Sequence, residues 1–204
     1  MPTKLKTKQL EELILQSLEH EMGGVKLYTA ALACAQNPTL KKEWKEYLDQ
    51  TRSHVTALQT ACKVFRLDAT KESPGRAIVR QLGASLVAAI ESAQSAGDPA
   101  AAELVACECV VLAETKDHLD WELLGKCVAG LDGAQAEALQ TAYDEIEDQE
   151  DEHLYHTRGW CRELWIQSLG LPAVLPPPEE VQKVKTAIGA ARAEQSAELH
   201  RRRA

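Results

Sequence analysis

Phenylalanine occurs once in these 204 residues, aromatic side chains of all kinds reach only 4%, and isoleucine occurs six times. Strands are built mainly from β-branched and aromatic residues, so this scarcity excludes an all-β fold. No stretch reaches the roughly 18 uninterrupted apolar residues that a membrane span needs, and no membrane partner is expected. The opening Met1-Pro2-Thr3-Lys4-Leu5-Lys6 has no apolar h-region and no small-residue cleavage site, so no signal peptide is expected. Clustered positive charge is missing as well. Lys+Arg total 23 against 31 Asp+Glu, for a net charge of -8 and a pI near 5.3, the reverse of a nucleic-acid-binding surface. The Arg201-Arg202-Arg203 end is too short to alter that. The six cysteines (Cys34, Cys62, Cys107, Cys109, Cys127, Cys161) include no C-x-x-C pair. They read as reduced core residues, and a cytoplasmic location is the expectation.

What the chain does have is 30 Ala and 26 Leu within a 45% apolar content, and these two residues favour helices. At about 150 residues per domain the length fits one domain with an appendage. Burying roughly 70% of its unfolded surface, such a chain needs no metal or disulfide merely to fold.

Punctuation marks the helices. Asn37-Pro38, Ser73-Pro74 and Asp98-Pro99 each pair an N-cap with proline at the first helical position. Gly130-Leu131-Asp132-Gly133 gives a stop and then a cap aspartate, and Gly170 ends the next segment. Helices are predicted near 8–36, 38–66, 74–95, 99–130 and 133–169. Pro176-Pro177-Pro178 then leads to a weakly amphipathic helix near 179–200, whose Val181, Val184, Ile188 and Ala191 form a docking stripe. The long helices form two hairpins, 8–66 and 99–169, and the excursion between them makes a crossover. The expected fold is all-α: a four-helix bundle at 1–170, followed by a linker and helical tail at 171–204. An α-solenoid would show a repeat at a 34- or 40-residue period, and none is visible.

The positions facing a bundle axis alternate at spacings of three and four. In the first long helix they are Leu10, Ile14, Leu18, Glu21, Val25, Tyr28 and Leu32; in the second, Leu40, Trp44, Tyr47, Thr51, His54 and Leu58. The third reads Leu104, Cys107, Val111, Glu114, His118, Trp121, Gly125 and Val128. The last reads Leu139, Tyr143, Ile146, Glu150, His153, Thr157, Trp160 and Leu164. Each apolar seam breaks near its middle at Glu or His, at about one common height. A lone seam histidine is more often a hydrogen-bonded core residue than a ligand, but here three carboxylates and three imidazoles coincide. Unpaired buried carboxylates cost several kcal/mol each, and a divalent cation removes that cost. Mixed Glu/His sets suit iron, manganese or zinc better than calcium. Glu150-x-x-His153 directs two side chains to one spot. The neighbouring His156, just off the seam, is expected to be exposed, as is most of the acidic run Asp144–Glu152.

On these residues the chain resembles the ferritin-like superfamily, especially the rubrerythrin-type carboxylate-bridged metal bundles, over roughly 8–169. Glu21 with Tyr28, and Glu114 with Trp121, are similar to the family's first-helix Glu and following aromatic. Glu150-Asp151-Glu152-His153 is similar to its closing Glu-x-x-His. The matching segment Thr51-Arg52-Ser53-His54 has Thr51 where the family has Glu. It resembles the small bacterial stress-induced members, whose second helix carries a Thr near this point.

The resemblance implies a ferritin-like bundle with a mono- or dinuclear non-haem iron or manganese site (zinc as a third candidate) at Glu21, His54, Glu114, His118, Glu150 and His153. It implies oxygen or peroxide chemistry in stress defence, with no identified substrate. The C-terminal stripe suits docking on the bundle or on a second subunit, and a homodimer is expected. The alternative is a metal-free bundle acting as a structural or interaction protein, its site having decayed. Thr51 and the low carboxylate count favour it, and the coincident heights oppose it. Storage without turnover would demand a large closed assembly.

Overall fold

The computed structural model describes residues 5–201. They form seven helices and, among the described residues, no strand. These are α1 (Thr7–Cys34), α2 (Pro38–Val64), α3 (Pro74–Ser95), α4 (Pro99–Val128), α5 (Gly133–Ser168), α6 (Pro178–Val181) and α7 (Ala187–Arg201). The first five begin and end close to the boundaries expected from sequence. Three caps work as the sequence implies. Asn37 Oδ1 accepts from the Thr39 and Leu40 amides, Ser73 Oγ from Arg76, and Asp98 Oδ1 from Ala100 and Ala101. Asp132 precedes α5 without such a bond. Gly170 closes α5 with φ +74°, a conformation open to glycine at little cost.

The four long helices pack as a ring: α1 on α2 and α4, α5 on α2 and α4. Pairs across the contacts set the directions. Trp121 meets Glu21 while Gln36 meets Glu103, so α1 and α4 are antiparallel. His54 meets Gln149 while Trp160 meets Glu43, so α2 and α5 are antiparallel too. The diagonal partners are therefore α1 with α5 and α2 with α4. Since α2 and α4 point the same way, the chain must travel the bundle's length between them. Helix α3 makes that journey on the outside of α1 and α4. Arg76 and Arg80 at its start grip Glu19 of α1, and Ile90 joins the core beside Leu27 and Ala31.

Among the described residues the hydrophobic core of the four long helices falls into two clusters, and a third, smaller one lies under the tail. One part gathers Leu10, Ile14, Leu18, Leu58, Trp121 and Leu139 around the start of α1. The other gathers Tyr28, Ala31, Leu40, Trp44, Ala106 and Trp160 around its end. Between them lies a layer of buried polar side chains.

The tail departs from expectation. Its predicted single helix is broken at 182–186, leaving α6 and α7. Of the predicted stripe only Val184 is buried, while Val181 and Ile188 are about two-thirds exposed. The segment is held to α5 by a small apolar cluster of Leu154, Tyr155, Val184 and Ala193 and by charge. Arg162 binds Glu179 at 2.5 and 3.0 Å, and the fully buried Glu163 takes Arg201 and the amide of Val174. Arginine's forked, always-charged group suits such buried carboxylates. No helix among the described residues is long and apolar enough to cross a membrane.

Candidate metal centre

Five of the six seam residues converge in the polar layer, and each of the five is at least 95% buried. His54 Nδ1 lies 2.9 Å from Glu150 Oε1 and 3.3 Å from Glu21 Oε1. His153 Nδ1 lies 3.4 Å from the same Glu150 oxygen and 3.5 Å from Glu114 Oε2. Two triads result, Glu21–His54–Glu150 and Glu114–Glu150–His153, each with its ligand atoms within 4.8 Å of one another. Glu150 belongs to both.

These contacts are short but not directed. His54 Nδ1, both Glu150 oxygens, Glu21 Oε2 and Glu114 Oε2 have no hydrogen-bond partner. Buried polar atoms are normally satisfied, so five orphans in one layer mark a place where the protein alone does not complete its own bonding. The outer edges, in contrast, are firmly held. Trp121 Nε1–H donates to Glu21 Oε1 at 2.8 Å. His54 Nε2 meets Gln149 Oε1 at 2.9 Å, and His153 Nε2 meets Gln50 Oε1 at 2.7 Å. Each histidine is thus braced by the glutamine four residues before the other histidine, on the opposite helix. Gln149 Nε2 donates to the Glu145 carbonyl, which turns its amide oxygen toward His54. An amide oxygen only accepts, so Nε2 of each ring carries the proton and Nδ1 faces the carboxylates.

Electrostatics follows the packing. Burial alone would lower His54, but Glu21 and Glu150 overcome it and push its pKa up to about 11. Burial opposes the charge of His153 too, and Glu150 with Glu114 brings it to about 9. Burial raises Glu21 to about 7 despite His54, and raises Glu114 with help from Glu150. Glu150 goes the other way: two imidazoles hold it below the ordinary range against its burial.

His118 does not join them. Its side chain is 28% exposed and its Nδ1 sits 3.0 Å from Asp151 at the bundle's edge. The residue α4 turns inward is Asp117, which lies off the three/four seam that runs through Glu114 and His118. It is buried, its Oδ1 has no partner, and burial together with Glu21, Glu150 and Glu114 pushes its pKa well up. The usable signal was spacing, since Asp117 follows Glu114 by three residues just as His153 follows Glu150. Thr51 supplies no ligand: its hydroxyl donates to the Tyr47 carbonyl at 2.8 Å.

His156, expected at the surface, is buried. Its Nδ1 lies 3.2 Å from Glu43 and 3.0 Å from the Tyr47 hydroxyl. Tyr47 donates to Glu43 at 2.5 Å, and Trp160 Nε1–H donates to the other Glu43 oxygen at 2.7 Å. Tyr47 packs its ring 4.1 Å from that of His153, so this second polar cluster backs onto the first.

No family model, no curated protein and no solved structure matches the chain.

Proposed function

We propose that this protein is a ferritin-like metal-binding bundle whose polar layer holds a non-haem iron or manganese centre. One observation carries the proposal: orphaned carboxylate and imidazole atoms form two overlapping triads with Glu150 common to both. Glu21, His54 and Glu150 would hold one cation, and Glu114, Glu150 and His153 a second. Oxygen and imidazole donors in this proportion suit iron, manganese or zinc. Two divalent ions carry four positive charges against three carboxylates, and Asp117, held protonated in the same layer by burial and its acidic neighbours, would supply a fourth negative charge on losing that proton.

Bound there, a redox-active ion would supply one-electron chemistry with oxygen or peroxide, as the family resemblance implies. The chain's own part is positional. Gln50 and Gln149 fix the tautomer and pitch of the imidazoles, Trp121 fixes Glu21, and the flanking apolar cores keep bulk water from the layer. Carboxylates confined in this way gain from a cation what water cannot provide. The expected homodimer and cytoplasmic location belong to the same proposal. Sedimentation velocity tests the first.

Elemental analysis of untagged, chelator-free protein, repeated after anaerobic ferrous loading, tests the metal reading. One to two equivalents are expected. Less than about 0.1 equivalent would overturn it. Glu150→Ala should abolish binding because it removes the group common to both triads.

A second reading has its own support. With His54 and His153 protonated, two imidazolium ions sit among three carboxylates, which gives a metal-free layer partial charge balance. In that case Glu150→Ala would change stability or association and no metal would bind.

A further inference from the structure

A cavity of about 290 Å³ lies between α1, α3 and α4, against the outer wall of the polar layer. Leu27, Val79, Leu82, Leu86 and Leu112 supply its apolar walls, and Gly23, Gly24 and Gly83 line it with backbone. Leu82 and Leu112 are more than half exposed, so the cavity has an open apolar mouth.

Two of the glycines have no packing reason to be there. A Cβ on Gly23 would meet nothing within 4 Å, and one on Gly83 would make only an ordinary 3.9 Å contact. Glycine inside a helix costs about 1 kcal/mol relative to alanine. The chain bears that cost at two facing positions, and what it obtains is open volume. The charges at the rim are already used. Glu19 takes both Arg76 and Arg80 at 2.7 Å, and Lys116 binds Asp120 at 2.5 Å. His20 Nε2 is engaged by the Ala113 carbonyl at 3.1 Å. The site therefore presents apolar surface with no spare charge for an ionic ligand.

The cavity also backs on the candidate centre. His20 and Ala113 line it and are chain neighbours of Glu21 and Glu114. Gly24, the third lining glycine, faces Thr51, whose Cγ2 lies 3.2 Å from where a Gly24 Cβ would stand. A cavity of about 150 Å³ accommodates one benzene ring, so this volume suits about twice as many heavy atoms.

We propose that the cavity between α1, α3 and α4 binds a neutral, largely apolar molecule the size of a medium-chain alcohol. This binding stands independently of the metal reading.

Calorimetry on the metal-free full chain would compare 1-decanol with decanoate and decylammonium. Saturable decanol binding at least ten-fold tighter than either ion is expected. Gly23→Leu, whose side chain fills open space, should weaken decanol at least ten-fold while leaving the far-ultraviolet dichroism and metal stoichiometry unchanged. Gly83→Val gives the same test should Gly23→Leu fail to fold. Equal binding of decanoate, or undiminished decanol binding in a folded filled variant, would overturn the site. A dimer abolished by Leu112→Glu and indifferent to decanol would overturn it too, by showing a second copy over the mouth. Decanol binding in a chain that takes up no metal would keep the cavity and overturn the metal reading, whereas metal uptake without decanol binding would do the opposite.

Discussion

At the scale of single residues the polar layer depends on which imidazole nitrogen carries the proton. Gln50 and Gln149 settle this for His153 and His54 from across the bundle. Both glutamines precede a histidine by four residues, in Gln50-Thr51-Arg52-Ser53-His54 and Gln149-Glu150-Asp151-Glu152-His153. This near-repeat places Thr51 and Glu150 at equivalent points, so a single difference in side chain makes the layer lopsided. Partners that orient ligating histidines are worth about ten- to a hundred-fold in metal affinity. Gln50→Leu and Gln149→Leu should therefore each weaken iron binding at least ten-fold, measured by competition with a chelator, with little change in helicity. Affinities equal to wild type would show that the glutamines do not position the rings.

Among the elements, α1 and α4 carry glycines of opposite character. Gly23 in α1 borders open space, so Gly23→Ala should stabilise the protein by about 1 kcal/mol through helix propensity alone. Gly125 in α4 lies under the Tyr143 ring, and a Cβ there would run into the aromatic carbons. Gly125→Ala should then cost about 1–3 kcal/mol, the usual penalty of overpacking. Urea denaturation of both variants checks the contrast, and a stabilising Gly125→Ala would refute it. The hairpins and crossover were legible in sequence because Asn37-Pro38, Ser73-Pro74, Asp98-Pro99 and Gly170 are local signals. The tail was not. Its weak apolar stripe suggested one docked helix, whereas the chain breaks at 182–186 and meets α5 through Val184 and Ala193 together with the pairs Arg162–Glu179 and Arg201–Glu163.

For the whole molecule the buried layer makes stability depend on pH, with a sign that metal should reverse. Without metal, His54 (about 11), His153 (about 9) and Glu21 (about 7) all titrate above their ordinary values. Groups with raised folded-state pKa contribute stability that is complete below their unfolded values and is lost as pH rises through the folded ones. The thermal midpoint of metal-free protein should consequently fall between about pH 5 and pH 9. Glu150, held below its ordinary range, acts oppositely: its contribution is present above that range and is lost as pH falls through its depressed folded value. Cations compete with protons for the same atoms, so the stabilisation conferred by metal should grow across the same interval. Calorimetric scans with and without ferrous ion check both slopes. A midpoint that rises toward pH 9 without metal would contradict the protonation pattern.

The sequence by itself determined the first five helices, their pairing into hairpins and the height at which polar residues interrupt the core. Capping and three/four periodicity are local properties, written within a few residues of where they act. Tertiary structure decided which neighbour on each turn faced inward. Spacing alone treats Asp117 and His118 as near equals after Glu114, and only the angle at which α4 packs between α1 and α5 turns Asp117 in and His118 out toward Asp151. The same holds for His156, whose place beside Glu43 depends on how α5 lies against α2. The glutamine braces depend on two helices meeting in one register. No local signal encodes that register, because it is fixed by the packing of residues about a hundred positions apart in the chain.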